Sequence, residues 1–127
     1  MPLVRIDLMQ GRPVQFGRRI SEIVYQTMAD TIAVPPKDNF QVITEHNRDH
    51  LIYSADYLGI RRTDGIIFIQ ITLGEGRSVD LKKAFYKKLV DRLNQELQIR
   101  KEDVFINLLE VKSENWSYGN GIAQYAR

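Results

Sequence analysis

The residues best equipped for chemistry in this chain are a proline at the second position, two arginines at matching turns, and an aspartate after a proline pair. Pro2 follows the initiator in Met1-Pro2-Leu3-Val4-Arg5-Ile6-Asp7-Leu8. Methionine is normally removed ahead of a small residue, which would leave Pro2 as a secondary amine with no preceding carbonyl. An α-amino group titrates at about 7.7–8.0 in model peptides, and burial lowers that by disfavouring the charged form. A base poised near neutrality suits general acid–base catalysis. The competing reading is that a Met-Pro start carries no chemistry.

Arg12 in Gly11-Arg12-Pro13 and Arg77 in Gly76-Arg77-Ser78 each stand at the end of a first strand, just before a helix. Ligand sites in α/β units lie at strand ends, near helix N-termini that favour anions. Arginine there can clamp a carboxylate through a bidentate fork. The plainer alternative for each is a solvated charge or a subunit salt bridge. Asp38 follows Val34-Pro35-Pro36 and precedes the strand at Phe40; its twin Asp103 favours a turn-capping role. His46 and His50, with Asp49 between them, read as a polar loop and not as a metal site.

The elements that must position these residues come from a gapless internal repeat at a shift of 65. Gly11-Arg12 falls on Gly76-Arg77, Ile20 on Phe85, Val24 on Leu89, Val34 on Ile99, Asp38 on Asp103, Phe40 on Phe105 and Glu45 on Glu110. One shift holding over that span argues for duplication of a supersecondary unit. Each unit reads strand, helix, strand. Val4, Ile6 and Leu8 alternate with Leu3, Arg5 and Asp7, and Ile20, Ile23, Val24 and Met28 recur at helical spacing. Val34-Pro35-Pro36 is expected to end that helix, because the residue before proline avoids the α region. The second unit runs from an apolar strand at 66–73 through a stripe of Leu81, Phe85, Leu89, Leu93 and Leu97 to a strand at 104–111.

Helical crossovers make each strand pair parallel and right-handed. The expected fold is therefore α/β (α+β): duplicated β-α-β units forming a four-stranded mixed sheet, both helices on one face. The pseudo-repeats span about 2–46 and 67–111 of a single domain, with hairpin excursions at 47–64 and 113–127. The second excursion is expected as an aromatic hairpin, Trp116 to Tyr125, around glycine turns. The face without helices reads as too apolar for water, so a homo-oligomer would pack it inward.

Composition narrows the function class. The chain has 127 residues, a net charge of +2 and no cysteine. It is one domain or two small halves sharing a core. That charge does not suggest a nucleic-acid protein, and thiol catalysis and Cys-ligated metals are excluded. No signal peptide or transmembrane run is seen, so the expected address is the cytoplasm, with no membrane partner.

Taken together, the strand starting on Pro2, the Gly-Arg turn and the duplicated unit resemble the tautomerase superfamily. Glu75-Gly76-Arg77-Ser78, followed by Lys82 or Lys83, is similar to the strand-to-helix turn of 4-oxalocrotonate tautomerase. Over nearly the full chain the closer likeness is to the double-length malonate semialdehyde decarboxylases. It is carried by Val34-Pro35 before Asp38, Gln41, His46, Phe85-Tyr86-Lys87 and Trp116-Ser117-Tyr118-Gly119 with Gly121.

The resemblance implies a homotrimer with sites at subunit boundaries, Pro2 as catalytic amine, Asp38 assisting, and Arg77 holding the carboxylate of a small oxo acid. Arg12 is a further substrate-binding candidate, and Trp116, Tyr118 and Tyr125 would form an apolar wall. Family members of the decarboxylase branch carry two arginines two apart; here the first falls on Glu75, which would repel an acidic substrate unless it points away. The implied activity is keto-enol tautomerisation, with decarboxylation or hydration of 3-oxo acids as the alternative. No metal or organic cofactor is required. A non-catalytic, ferredoxin-like effector-binding or assembly domain is the reading of another class.

Overall fold

The computed structural model describes residues 2–126. Met1, and with it the question of its removal, lies outside the described residues, as does Arg127. The chain runs β1 (Leu3–Met9), α1 (Val14–Ile32), β2 (Phe40–His46), β3 (Ile67–Gly74), α2 (Val79–Leu97) and β4 (Val104–Val111), with short 3-10 turns between. The sheet order is β2-β1-β3-β4. β1 and β2 are parallel, as are β3 and β4, and β1 meets β3 antiparallel.

The duplication is visible residue by residue. The two helices occupy repeat-equivalent positions at both ends. Ala33 and Gln98, also equivalent, take the left-handed conformation at φ 57° and 55°. Each closes its helix by a backbone N–H to a carbonyl of the last turns, to Met28 and to Asn94 and Leu93 respectively. No proline follows Gln98 closely, yet α2 ends in the same way as α1. The left-handed cap therefore terminates α1, two residues before Pro35, and the prolines shape only the turn beyond it. Arg5 and Gln70 pair across β1 and β3 and are themselves repeat equivalents, so the pseudo-twofold axis passes through that pair.

Both helices pack on one face. Val4, Ile6 and Leu8 of β1 and Ile67, Ile69, Ile71 and Leu73 of β3 are buried against Ile20, Val24 and Met28 of α1 and Phe85, Leu89 and Leu93 of α2. This is the period-two alternation of the strands meeting the helical stripes. The helix-free face is more mixed than expected. Phe40, Val42, Phe105 and Leu109 are exposed, but Gln70 bonds Asn107 and His46 Nε2 lies 2.6 Å from Asp7 Oδ1. Ile66 is buried, in a cleft of about 270 Å³ that it lines with Tyr53, Tyr57, Arg62, Phe68 and Phe105.

Neither expected hairpin forms as paired strands among the described residues. In 47–64, the Arg62 guanidinium donates to the carbonyls of Ser54, Tyr57 and Ile60, gathering the loop from inside. In 113–126, Gln124 does the same work: its amide accepts from the Tyr118 N–H and donates to the Gly119 carbonyl. Side chains satisfy backbone groups that strand ladders would otherwise pair.

Candidate active site

The register places Pro2 at one end of the sheet. Leu3 pairs with Phe40 on one side and Thr72 on the other, so Pro2 lies between the entry to β2 and the exit from β3. It is buried. The β2 side is a tight turn: the Asp38 N–H bonds the Pro35 carbonyl at 3.2 Å, Asn39 N–H bonds Lys37 O at 3.0 Å, and the Tyr25 hydroxyl accepts from the Lys37 N–H. This turn carries Asp38 inward, leaving it 6% exposed.

The β3 side supplies Arg77. The chain turns at Gly76, whose φ of +117° suits glycine. Arg77 then donates from Nη1 to Gly74 O at 2.9 Å, and from Nε and Nη2 to Ile32 O at 3.4 and 3.2 Å. Ile32 is the last residue of α1, where unpaired carbonyls carry partial negative charge. A guanidinium has five N–H donors; with three engaged, one N–H remains on each Nη. Arg77 is thus fixed in direction and keeps one further N–H on each Nη.

Two further residues complete this turn. Lys82 Nζ lies 2.6 Å from Glu110 Oε1. The Glu110 carboxyl is held below the ordinary glutamate range, first by the Lys82 hydrogen bond, with the Lys82 charge, the Gly76 N–H and the Arg77 charge adding to it. Sequence reasoning marked Lys82 but missed Glu110. Its only signal was the match to Glu45, because the pairing spans 28 positions. Glu75, on the same turn, donates its N–H to Val111 O at 3.1 Å and has an exposed side chain.

The third wall is aromatic. Trp116 stacks on Tyr118 at 5.4 Å between centroids, and Tyr125 meets Tyr118 edge-on at 5.6 Å. Burial pushes the Tyr118 hydroxyl up, and the neighbouring Asp38 and Tyr125 push it further. β4 and β2 are opposite edges of the sheet. To leave β4 and reach Asp38, the C-terminal segment must cross the end where Pro2 lies.

Arg12 does not join this group within one chain. It follows the far end of β1, roughly 20 Å away at about 3.3 Å per strand residue. There its guanidinium lies 4.5 Å from the Phe16 ring centre, with Nη2 beside Gly65. The sequence could not separate Arg12 from Arg77, because both occupy the same local motif; the antiparallel β1–β3 pairing sends them to opposite ends. Among the described residues, no group of three or more His, Cys, Asp or Glu is placed to hold a metal ion, and no helix is long and apolar enough to cross a membrane.

Known proteins match the chain over nearly its whole length. Two family models, both described as tautomerase enzyme, match residues 38–119 and 2–61. The probable tautomerase YusQ of Bacillus subtilis (strain 168) is 42% identical over 124 residues, 98% of each chain. The probable tautomerase YrdN of the same organism is 30% identical, covering 98% of this chain and 96% of its own. Among solved structures, FG41 malonate semialdehyde decarboxylase inhibited by 3-bromopropiolate superposes with a TM-score of 0.90 at 30% identity, covering 97% of this chain and 93% of its own. A fused 4-OT symmetric trimer shares the fold at a TM-score of 0.79 and 18% identity, covering 97% of each chain. With two β-α-β units in one mixed sheet and sequence kinship along its full length, the chain belongs to the tautomerase family of enzymes.

Proposed function

We propose that the protein is a tautomerase that uses the amine of Pro2 to move a proton between oxygen and carbon of a small oxo acid. The observation carrying this is the burial of Pro2 at the one sheet end that also holds Asp38 and Arg77. Burial disfavours a charged amine, so Pro2, once Met1 is removed, is neutral near pH 7. It takes the proton from the enol hydroxyl and returns it to the adjacent carbon, a general acid–base cycle that needs no cofactor. Arg77 offers its remaining N–H groups to the substrate carboxylate. Asp38 tunes the amine or orients a water. Trp116, Tyr118 and Tyr125 exclude solvent.

The unit of function is a homotrimer with the helix-free faces inward. The exposed Phe40, Val42, Phe105 and Leu109 supply the apolar contact, and the fused 4-OT relatives of the same fold are trimers.

A second activity, decarboxylation or hydration of a 3-oxo acid, is favoured by the 30% identity to a malonate semialdehyde decarboxylase and by the buried Asp38. There Pro2 would be protonated, its cation would stabilise a developing enolate, and Asp38 would activate water. Glu75 weighs against it, standing where that branch carries an arginine.

The test is ultraviolet loss of the phenylpyruvate enol by wild type and Pro2→Ala, with Met1 removal verified by intact mass. General acid–base contributions of about 10²–10⁴-fold are expected to vanish in the variant. An unchanged rate, or a processed wild type no faster than buffer, would refute the amine mechanism.

A further inference from the structure

Resting on the Pro2 reading above, we propose that Gln41 is a positioning residue: through Asn39 it holds the turn that carries Asp38 at the Pro2 end of the sheet. The observation behind this is a difference between the repeats. At the shift of 65, Tyr25, Asn39 and Gln41 fall on Val90, Val104 and Ile106. In the second half all three are apolar, with Val104 and Ile106 packed against the core. The turn at Asp103 is held there by bonds to the carboxylate itself, from Thr63 and Arg100. In the first half all three positions are polar and bonded around the Asp38 turn. The Tyr25 hydroxyl accepts from the Lys37 N–H at 3.2 Å. Gln41 Nε2 donates to Asn39 Oδ1 at 2.8 Å and to Ser21 O of α1 at 2.9 Å.

Gln41 stands opposite Val4 of β1, on the helix-bearing side of the sheet, where the second half packs an isoleucine. An amide fills that place poorly. Its Oε1 is buried and has no hydrogen-bond partner among the described residues, which costs stability. A polar side chain kept at such a position answers to a need other than packing. The two bonds from Nε2 use both of its hydrogens. One anchors the amide on α1, and the other reaches the residue that follows Asp38. The backbone bonds of the turn, Asp38 N–H to Pro35 O and Asn39 N–H to Lys37 O, lie within the turn itself and do not fix it against α1. Gln41 and Tyr25 do.

A residue kept for positioning should be removable without loss of stability. Gln41→Ile copies the second half and removes the buried acceptor, so the variant should unfold at the same or a higher temperature. Its kcat for phenylpyruvate should nevertheless fall about fivefold or more, with KM within about twofold of wild type. Asn39→Ala, at an exposed residue, should act alike, and the double variant should be within about twofold of Gln41→Ile because the two side chains act in series. Trp116 is the only tryptophan, so its emission reads 3-phenylpropanoate binding without turnover; that affinity should stay within about twofold in both variants. An unchanged kcat in Gln41→Ile would overturn the proposal. So would a loss shared with unfolding temperature or with 3-phenylpropanoate affinity, or losses that multiply in the double variant. If wild type shows no Pro2-dependent ketonisation, the tautomerase reading fails by itself. The positioning is then read from the ¹⁵N titration of Pro2, which should move in Gln41→Ile in the same direction as in Asp38→Asn; no such movement would overturn the positioning as well.

Discussion

At one end of the sheet Pro2, Asp38 and Arg77 come together; at the other, Ile67, Asp103 and Arg12 hold the repeat-equivalent places. The frames match, but their filling differs. Asp103, 2% exposed, accepts from the Thr63 N–H at 2.8 Å, the Thr63 hydroxyl at 2.6 Å and Arg100 Nη1 at 3.3 Å. The linker that supplies Thr63 continues through Gly65 into β3, so the nitrogen at Ile67 is an ordinary amide. Gly65 fits because a Cβ there would lie 3.1 Å from Asp103 Oδ2 and 3.2 Å from Arg12 Nη2. At the first end the aromatic segment of Trp116, Tyr118 and Tyr125 lies beside Asp38 instead. The repeat thus frames two equivalent sheet ends, and the linker through Thr63 and Gly65 fills the one at Asp103.

Substitutions at paired positions should break this symmetry in opposite directions. The largest contrast is expected between the arginines. Arg77→Ala should lower kcat/KM for phenylpyruvate about 100-fold, mostly through KM, because charge-assisted hydrogen bonds are lost. Arg12→Ala should change it less than about threefold. Equal losses in steady-state assays would mean that a second subunit brings Arg12 into the site.

The aspartates should divide the other way. Asp103→Ala removes a carboxylate that is 2% exposed, with its bonds to Thr63 and Arg100, and should cost about 2–4 kcal/mol in denaturant unfolding. Asp38→Asn should reduce turnover about tenfold or more while costing under about 1 kcal/mol. A smaller contrast lies in the turn glycines, at φ +104° for Gly11 and +117° for Gly76. Alanine at either is strained and should cost about 1 kcal/mol or more, but only Gly76→Ala should also raise KM, by displacing Arg77.

Much of the first-order architecture was legible in the sequence because it rests on local periodicity. The alternation in Val4-Ile6-Leu8 and the stripe through Phe85, Leu89 and Leu93 each meet the core as expected. The gapless shift of 65 also matched Asp38 to Asp103 at equivalent turns, and the structure buries both. What was not legible depends on partners distant in sequence. Glu110 acquires its place from Lys82 and Gly76. The loops at 47–64 and 113–126 are organised by Arg62 and Gln124, whose local context says nothing of the carbonyls they reach. Arg12 and Arg77 share a motif, and only strand direction tells them apart.

The smallest expected effect is a pH dependence of the Arg77 turn. Lys82 holds the folded Glu110 carboxyl below its ordinary value of 4.5. A lowered folded value stabilises the folded form above the unfolded value, and the contribution is lost as pH falls through the folded one. The difference in 3-phenylpropanoate affinity between wild type and Glu110→Gln should therefore be full above pH 4.5 and shrink below it. A difference that grows on acidification would remove Glu110 from the turn's support.

The central claim, that Pro2 is a free and neutral amine at the active end, is most directly tested by NMR titration of protein labelled with ¹⁵N-proline. The chain has four prolines, and the three at positions 13, 35 and 36 are tertiary amides that do not titrate. The account predicts one titrating nitrogen with a pKa below about 7 that disappears in Pro2→Ala. A value near about 9 would transfer the site to the cationic, decarboxylase-like mode, and no titrating nitrogen at all would contradict the amine mechanism outright.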